Sequence, residues 1–127
     1  MTTELRRVSD RAFDEADRRV REALAEQGFG VLTEIDVRAT LAAKLGVDFR
    51  RYVILGACNP GFAHRALSAS LQVGTLLPCN VVLYEDDHGK TVIEAVDPVA
   101  LLPAGEPALE ALAREVRERL RTALERV

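Results

Sequence analysis

A chain of 127 residues with 48% hydrophobic and 29% charged side chains has the size and composition of one globular domain, burying roughly two thirds of its unfolded surface without help from a disulfide or a metal. Its net charge of -3 comes from acids and arginines interspersed along helical stretches, so the basic stripe that a phosphate backbone demands is missing and nucleic acid is not an expected partner. No apolar run nears the roughly 18 residues of a membrane-spanning helix, and the N-terminus, with Glu4, Arg6, Arg7 and Asp10, lacks the apolar core of a signal peptide; the expected compartment is the cytoplasm, where two cysteines rest as thiols.

Thr3 to Val8 alternates weakly and reads as an edge strand, with Ser9 as the cap of the helix that follows. Phe13, Ala16, Val20, Ala23, Leu24 and Gln27 recur at helical spacing before Gly28, a residue type that ends helices. From Phe29 to Val37 the period changes to two: Val31, Thr33, Ile35 and Val37 share one face, and Leu32, Glu34 and Asp36 the other. Asp36 is placed to cap a helix from Val37 to Leu45, closed by Gly46, and Val47 to Arg51 leads to the run Tyr52 to Ala57, apolar on both faces and so expected mid-sheet.

Asn59 is a good N-cap and Pro60 fits the first helical position, where its missing N–H costs nothing. The helix they start carries Phe62, Ala63, Ala66 and Leu67 and runs to about Ser70, and Gly74 breaks the pattern. Leu76 to Tyr84 is again apolar on both faces, and Glu85-Asp86-Asp87-His88-Gly89 supplies turn chemistry before Thr91 to Val96, a hairpin. Pro98 and Pro103 interrupt the chain, and Leu109, Leu112, Ala113, Val116, Leu120, Ala123, Leu124 and Val127 then form one stripe along a helix of about 20 residues.

The order β-α-β-β-β-β-α, with two short inserted helices, predicts an α+β two-layer sandwich: a largely antiparallel sheet of about five strands with two long helices on one face. The layout resembles that of the TATA-binding-protein repeat, an analogy of fold alone. If the strand ending at Ala57 pairs antiparallel with the one starting near Leu77, then Cys58 and Cys79 meet at one end of the sheet. Cys58 also lies just outside the N-terminus of the helix bearing His64, where the helix dipole and free N–H groups favour a thiolate.

Cys58, Asn59, His64, Cys79 and Asn80 are therefore the candidate site residues, for ligand binding or redox chemistry. Two cysteines and one histidine without CxxC or HxxxH spacing are a poor metal signal, although Cys58, His64 and Cys79 are the residues that would carry it. Against this stands plain packing, since free cysteines behave as small hydrophobes, an exposed helix accommodates His64, and the asparagines satisfy turn backbone. A Cys58–Cys79 disulfide would add roughly 3 kcal/mol if the two Cα atoms came within about 7 Å. Glu85, Asp86 and Asp87 lack calcium-loop spacing, and Glu34 and Asp36 are strand carboxylates that could line a groove. Gly28-Phe29-Gly30 follows a helix where a dinucleotide fingerprint needs a strand, and no nucleophile elbow is present, so no cofactor and no catalytic residue is implied.

The phrases Gly28-Phe29-Gly30-Val31-Leu32-Thr33-Glu34-Ile35-Asp36-Val37, Leu55-Gly56-Ala57-Cys58-Asn59-Pro60 with Ala63-His64-Arg65-Ala66-Leu67, and Leu76-Leu77-Pro78-Cys79-Asn80-Val81-Val82 together resemble the family called domain of unknown function 302, over about Val8 to Pro98. The resemblance implies a small α+β domain of bacterial and archaeal proteins with no assigned reaction, and both Cys-Asn pairs and His64 match its pattern.

Two functional readings follow. One is a non-enzymatic binding or interaction module, a homodimer in which a groove between sheet and helices, or an edge strand, engages a small molecule or a protein. The other is a thiol-based redox or metal-handling protein with Cys58 as the reactive thiol, Cys79 as its resolving partner and His64 as base or ligand.

Overall fold

The computed structural model describes residues 5–102 and 105–127. Strands β1 (Arg6–Ser9), β2 (Gly30–Asp36), β3 (Tyr52–Cys58), β4 (Cys79–Glu85) and β5 (Thr91–Ala95) form one antiparallel sheet in the order β1-β5-β4-β3-β2. Helices α1 (Phe13–Glu26) and α5 (Pro107–Glu125) turn their apolar stripes to it: Phe13, Ala16, Val20, Ala23 and Leu24 of α1 are buried, as are all eight stripe residues from Leu109 to Val127. On the sheet side the core takes alternate residues, Leu55 and Ala57 from β3, Val81 and Leu83 from β4, Ile93 and Ala95 from β5, as the period of two demands. The expected two-layer α+β sandwich is the fold found.

The inserted segments are α2 (Val37–Leu45), α3 (Pro60–Ala69), a 3-10 stretch at Leu71–Leu76 and the four-residue α4 (Pro98–Leu101). Asp36 caps α2 by accepting from the Ala39 N–H at 2.9 Å, and Gly46 ends it in the left-handed region. Asn59 caps α3 by accepting from the Phe62 N–H. In the β4–β5 turn the Asp86 carboxylate accepts from the His88 and Lys90 N–H groups, so these acids organise backbone. The end of α1 is closed by paired bonds, Phe29 N–H to Leu24 O and Gly28 N–H to Ala25 O, with Gly28 at φ +85; this is the Schellman arrangement that glycine makes cheap.

Two expectations are corrected. Ser9 does not cap α1: it is the last residue of β1, its hydroxyl accepts from the Arg11 N–H, and α1 starts at Phe13 after Ala12. The even alternation expected in β2 also fails, because the register slips between Val31 and Thr33. Val31 pairs with Ala57 on the helix side, Thr33 with Gly56 on the opposite face, and Leu32 is the extra residue between them. Such a bulge reverses side-chain parity. Glu34 then faces the helices and pairs with Arg21 of α1 at 2.9 Å instead of lining a groove. Of the predicted first strand, Thr3 and Glu4 lie outside the described residues, as does Pro103.

Candidate ligand-binding site

The end of β3 and the start of β4 lie side by side, with Ala57 opposite Cys79, so the antiparallel pairing brings the two Cys-Asn phrases to one end of the sheet. There α3 leaves β3 and crosses toward α5, leaving between helix and sheet a cavity of about 280 Å³. Its walls come from both layers: Ala57, Cys58 and Cys79 from the strands, Phe62 and Ala63 from α3, Leu112 from α5. Leu32 at the bulge and Leu101 of α4 both line it and are exposed, 68% and 39%, so they mark its mouth.

Polar groups on this wall are few. Cys58 and Cys79 are free thiols, both half-buried. Burial pushes the Cys79 thiol up from 9.0 to about 11, and nearby Cys58 adds to the shift. Asn59 also lines the cavity, yet its side chain is spent on structure: Oδ1 accepts from Phe62 N–H at 3.3 Å and Nδ2 donates to Gln27 O at 3.4 Å. One asparagine thus ties the end of α1 to the beginning of α3.

The other candidates diverge. His64 sits on the exposed side of α3 and is not part of the cavity wall, because at this helix pitch Phe62, Ala63, Ala66 and Leu67 take the inner face. Asn80 is exposed on the sheet face away from the helices, opposite Gly56, and its carbonyl accepts from Val96 N–H. Among the described residues no three His, Cys, Asp or Glu side chains are grouped to hold a metal ion, so Cys58, His64 and Cys79 do not converge. Nor, among them, is any helix long and apolar enough to cross a membrane.

The two phrases carrying the cysteines are thus built into one end of the sheet. A family model described as "Domain of unknown function DUF302" matches residues 5–127. The chain belongs to the DUF302 family. A crystal structure of an uncharacterized conserved protein DUF302 from Bacillus stearothermophilus is 36% identical to it, covers 95% of this chain and 94% of its own, and superimposes with a TM-score of 0.88. No curated protein is significantly similar. In this DUF302 chain the cavity-lining Leu32, Leu101 and Leu112 lie far from the Cys-Asn phrases in sequence. Only the inner face of α3 signalled the cavity, through its apolar spacing.

The burial of Cys79 has a measurable consequence. Its alkylation by a haloacetamide is expected to quicken about tenfold per pH unit until about pH 11, since only the thiolate reacts; peptide mass mapping that finds a plateau near the ordinary thiol value contradicts the burial. The same shift ties stability to pH. The folded thiol keeps its proton where the unfolded one has lost it, so stability falls as pH rises from about 9 to about 11 and is unaffected below.

Proposed function

We propose that this DUF302 protein is a non-enzymatic binding module that takes a small, neutral, apolar molecule into the cavity beside Cys58 and Cys79. The observation that carries the reading is the cavity itself: about 280 Å³, walled by carbon except for two thiols and an asparagine whose amide is already committed. Apolar cavities of half that volume stay dry and accept benzene. At roughly 30 Å³ per water-sized group, about nine non-hydrogen atoms fit. A charged head would be left unpaired at this wall, at a cost of several kcal/mol, which favours neutral ligands. Two reduced thiols suit a cytoplasmic location.

The test is calorimetric titration with 1-octanol, which has the right size, and with glycerol as a polar control. Octanol is expected to bind with a negative heat-capacity change. Ala63→Leu, which fills the wall from α3, is expected to abolish binding while leaving the far-UV spectrum and melting temperature close to wild type. Failure of octanol to bind, or unchanged binding by a folded Ala63→Leu variant, refutes the reading. The thiol-redox alternative draws support from the two sulfurs sharing one wall. Intact-mass detection of a reversible Cys58–Cys79 disulfide after diamide, in a protein that binds no octanol, would favour it instead.

A further inference from the structure

The helices α1 and α5 both pack on one side of the sheet, and the side facing away from them is not the polar surface that an exposed antiparallel sheet normally presents. By register it carries Val8 from β1, Glu94 from β5, Val82 and Tyr84 from β4, Tyr52 and Ile54 from β3, and Ile35 from β2, with Val92 fully buried beneath these neighbours and Thr33 and Asn80 as uncharged polar members toward the cavity end. Tyr52 and Tyr84 stack with ring centroids 5.3 Å apart and planes 8° from parallel, and Phe49 lies 6.4 Å from Tyr52. Three of the six aromatic residues in the chain are therefore on this face or at its margin. Its charged ladder residues, Arg6 and Glu94, are paired with each other at 3.5 Å. Beside it, α2 has no buried residue at all, although it reads VRATLAAKL, and Leu45 is 69% exposed. A nine-residue helix is marginal in water unless something packs against it.

We infer that this face, flanked by α2, is the surface through which two copies of the chain pair. Three properties select a second copy as the occupant. The first is area: five strands about 4.8 Å apart, with about six residues each at 3.3 Å, span roughly 500 Å² in projection, and α2 with residues 46–51 extends this toward the ~800 Å² per partner of a standard interface. The second is shape, because two identical sheets have the same twist, and sheets packed face to face align at about -30° when their twists match. The third is charge. The sheet face holds one positive and one negative side chain in a pair, and in the flanking segment Arg38 pairs with Asp48, Arg50 with Asp87 and Arg51 with Asp14, so most charges are matched within each copy around the aromatic, charge-poor centre typical of interfaces.

The chain has no tryptophan, and both tyrosines lie on this face, so tyrosine fluorescence reports on it alone. Sedimentation equilibrium over a concentration series is expected to show the mass rising to twice 13.9 kDa, and acrylamide quenching of tyrosine to fall several-fold in step with it. Val82→Lys, at the centre of the face, is expected to weaken association about 30-fold or more. Three results overturn the inference: a mass that stays monomeric, which would leave the face to a different protein; a dimer whose tyrosines quench as readily as in the monomer; or a folded Val82→Lys variant that dimerises like wild type. The quenching measurement uses wild-type protein and stands even if that variant fails to fold. None of these readouts depends on the cavity, so the binding and pairing proposals fail separately.

Discussion

Gly56→Ala is expected to destabilise the fold by about 2–3 kcal/mol, with an added methyl group forcing apart two strands and a turn. Glycine to alanine in a strand would ordinarily gain a few tenths to 1 kcal/mol by restricting the unfolded chain. Here neighbours reverse the sign. A Cβ at Gly56 would stand 2.1 Å from Thr33 Oγ1 and 2.8 Å from Pro78 Cγ, both far inside contact distance. Thr33 is held there by the β2 bulge, which pairs it with Gly56, and Pro78, joined to Leu77 by a cis peptide, leads directly into β4. The Thr33 hydroxyl can withdraw only by turning about χ1, and the Pro78 ring only by shifting the chain that enters β4. Denaturant midpoints of Gly56→Ala, Thr33→Ala and the double variant measure the coupling. The double variant should recover part of the loss, with Pro78 accounting for the remainder. A Gly56→Ala midpoint at or above wild type would show that the approach of Thr33 is not enforced.

The second large effect is expected at Gly28. Gly28→Ala should cost about 2–3 kcal/mol: roughly 1–2 for a side chain at φ +85, and about 1 for the cap it disturbs. The new Cβ would lie 2.8 Å from Asn59 Nδ2. Moving that side chain gives up both the bond to Gln27 O and the capping of α3. Asn59→Ala alone should cost about 1 kcal/mol, and the double variant should fall short of the sum, because both changes break the same clamp. Additive losses would mean that Gly28 matters only through its backbone angle. Since α3 forms one wall of the cavity, Gly28→Ala should also weaken octanol binding although Gly28 is no part of that wall.

These two glycines mark the border between what could be read from the chain and what could not. The closure of α1 at Gly28 was legible, because helix periodicity ending at a glycine is a local signal. That Asn59 lies against Gly28, 31 positions along, was not, because it depends on how β2 and β3 pair. The same holds for Gly56, unremarkable within an apolar run until the bulge at Leu32 delivers Thr33 onto it. A bulge adds one residue to a ladder without changing composition, so alternation alone placed Val31 with Ile35 when the fold separates them. In the candidate site, the meeting of Cys58 and Cys79 followed from the antiparallel pairing of two recognisable strands. The position of His64 did not, since its direction depends on which side of α3 the core occupies.

By itself the sequence determined the period of each element, the caps at Asp36 and Asn59, the β4–β5 hairpin, the two apolar helix stripes and hence a two-layer fold, because these follow from hydrogen bonds and side-chain spacing within a few residues. Only the tertiary structure decided that the end of the sheet holds a cavity, that the Asn59 amide also reaches back to Gln27 O, that the Cys79 thiol resists ionisation and that an aromatic face stands away from the helices. Each of those depends on desolvation or contact between segments tens of residues apart, and such terms exist only once the layers have packed.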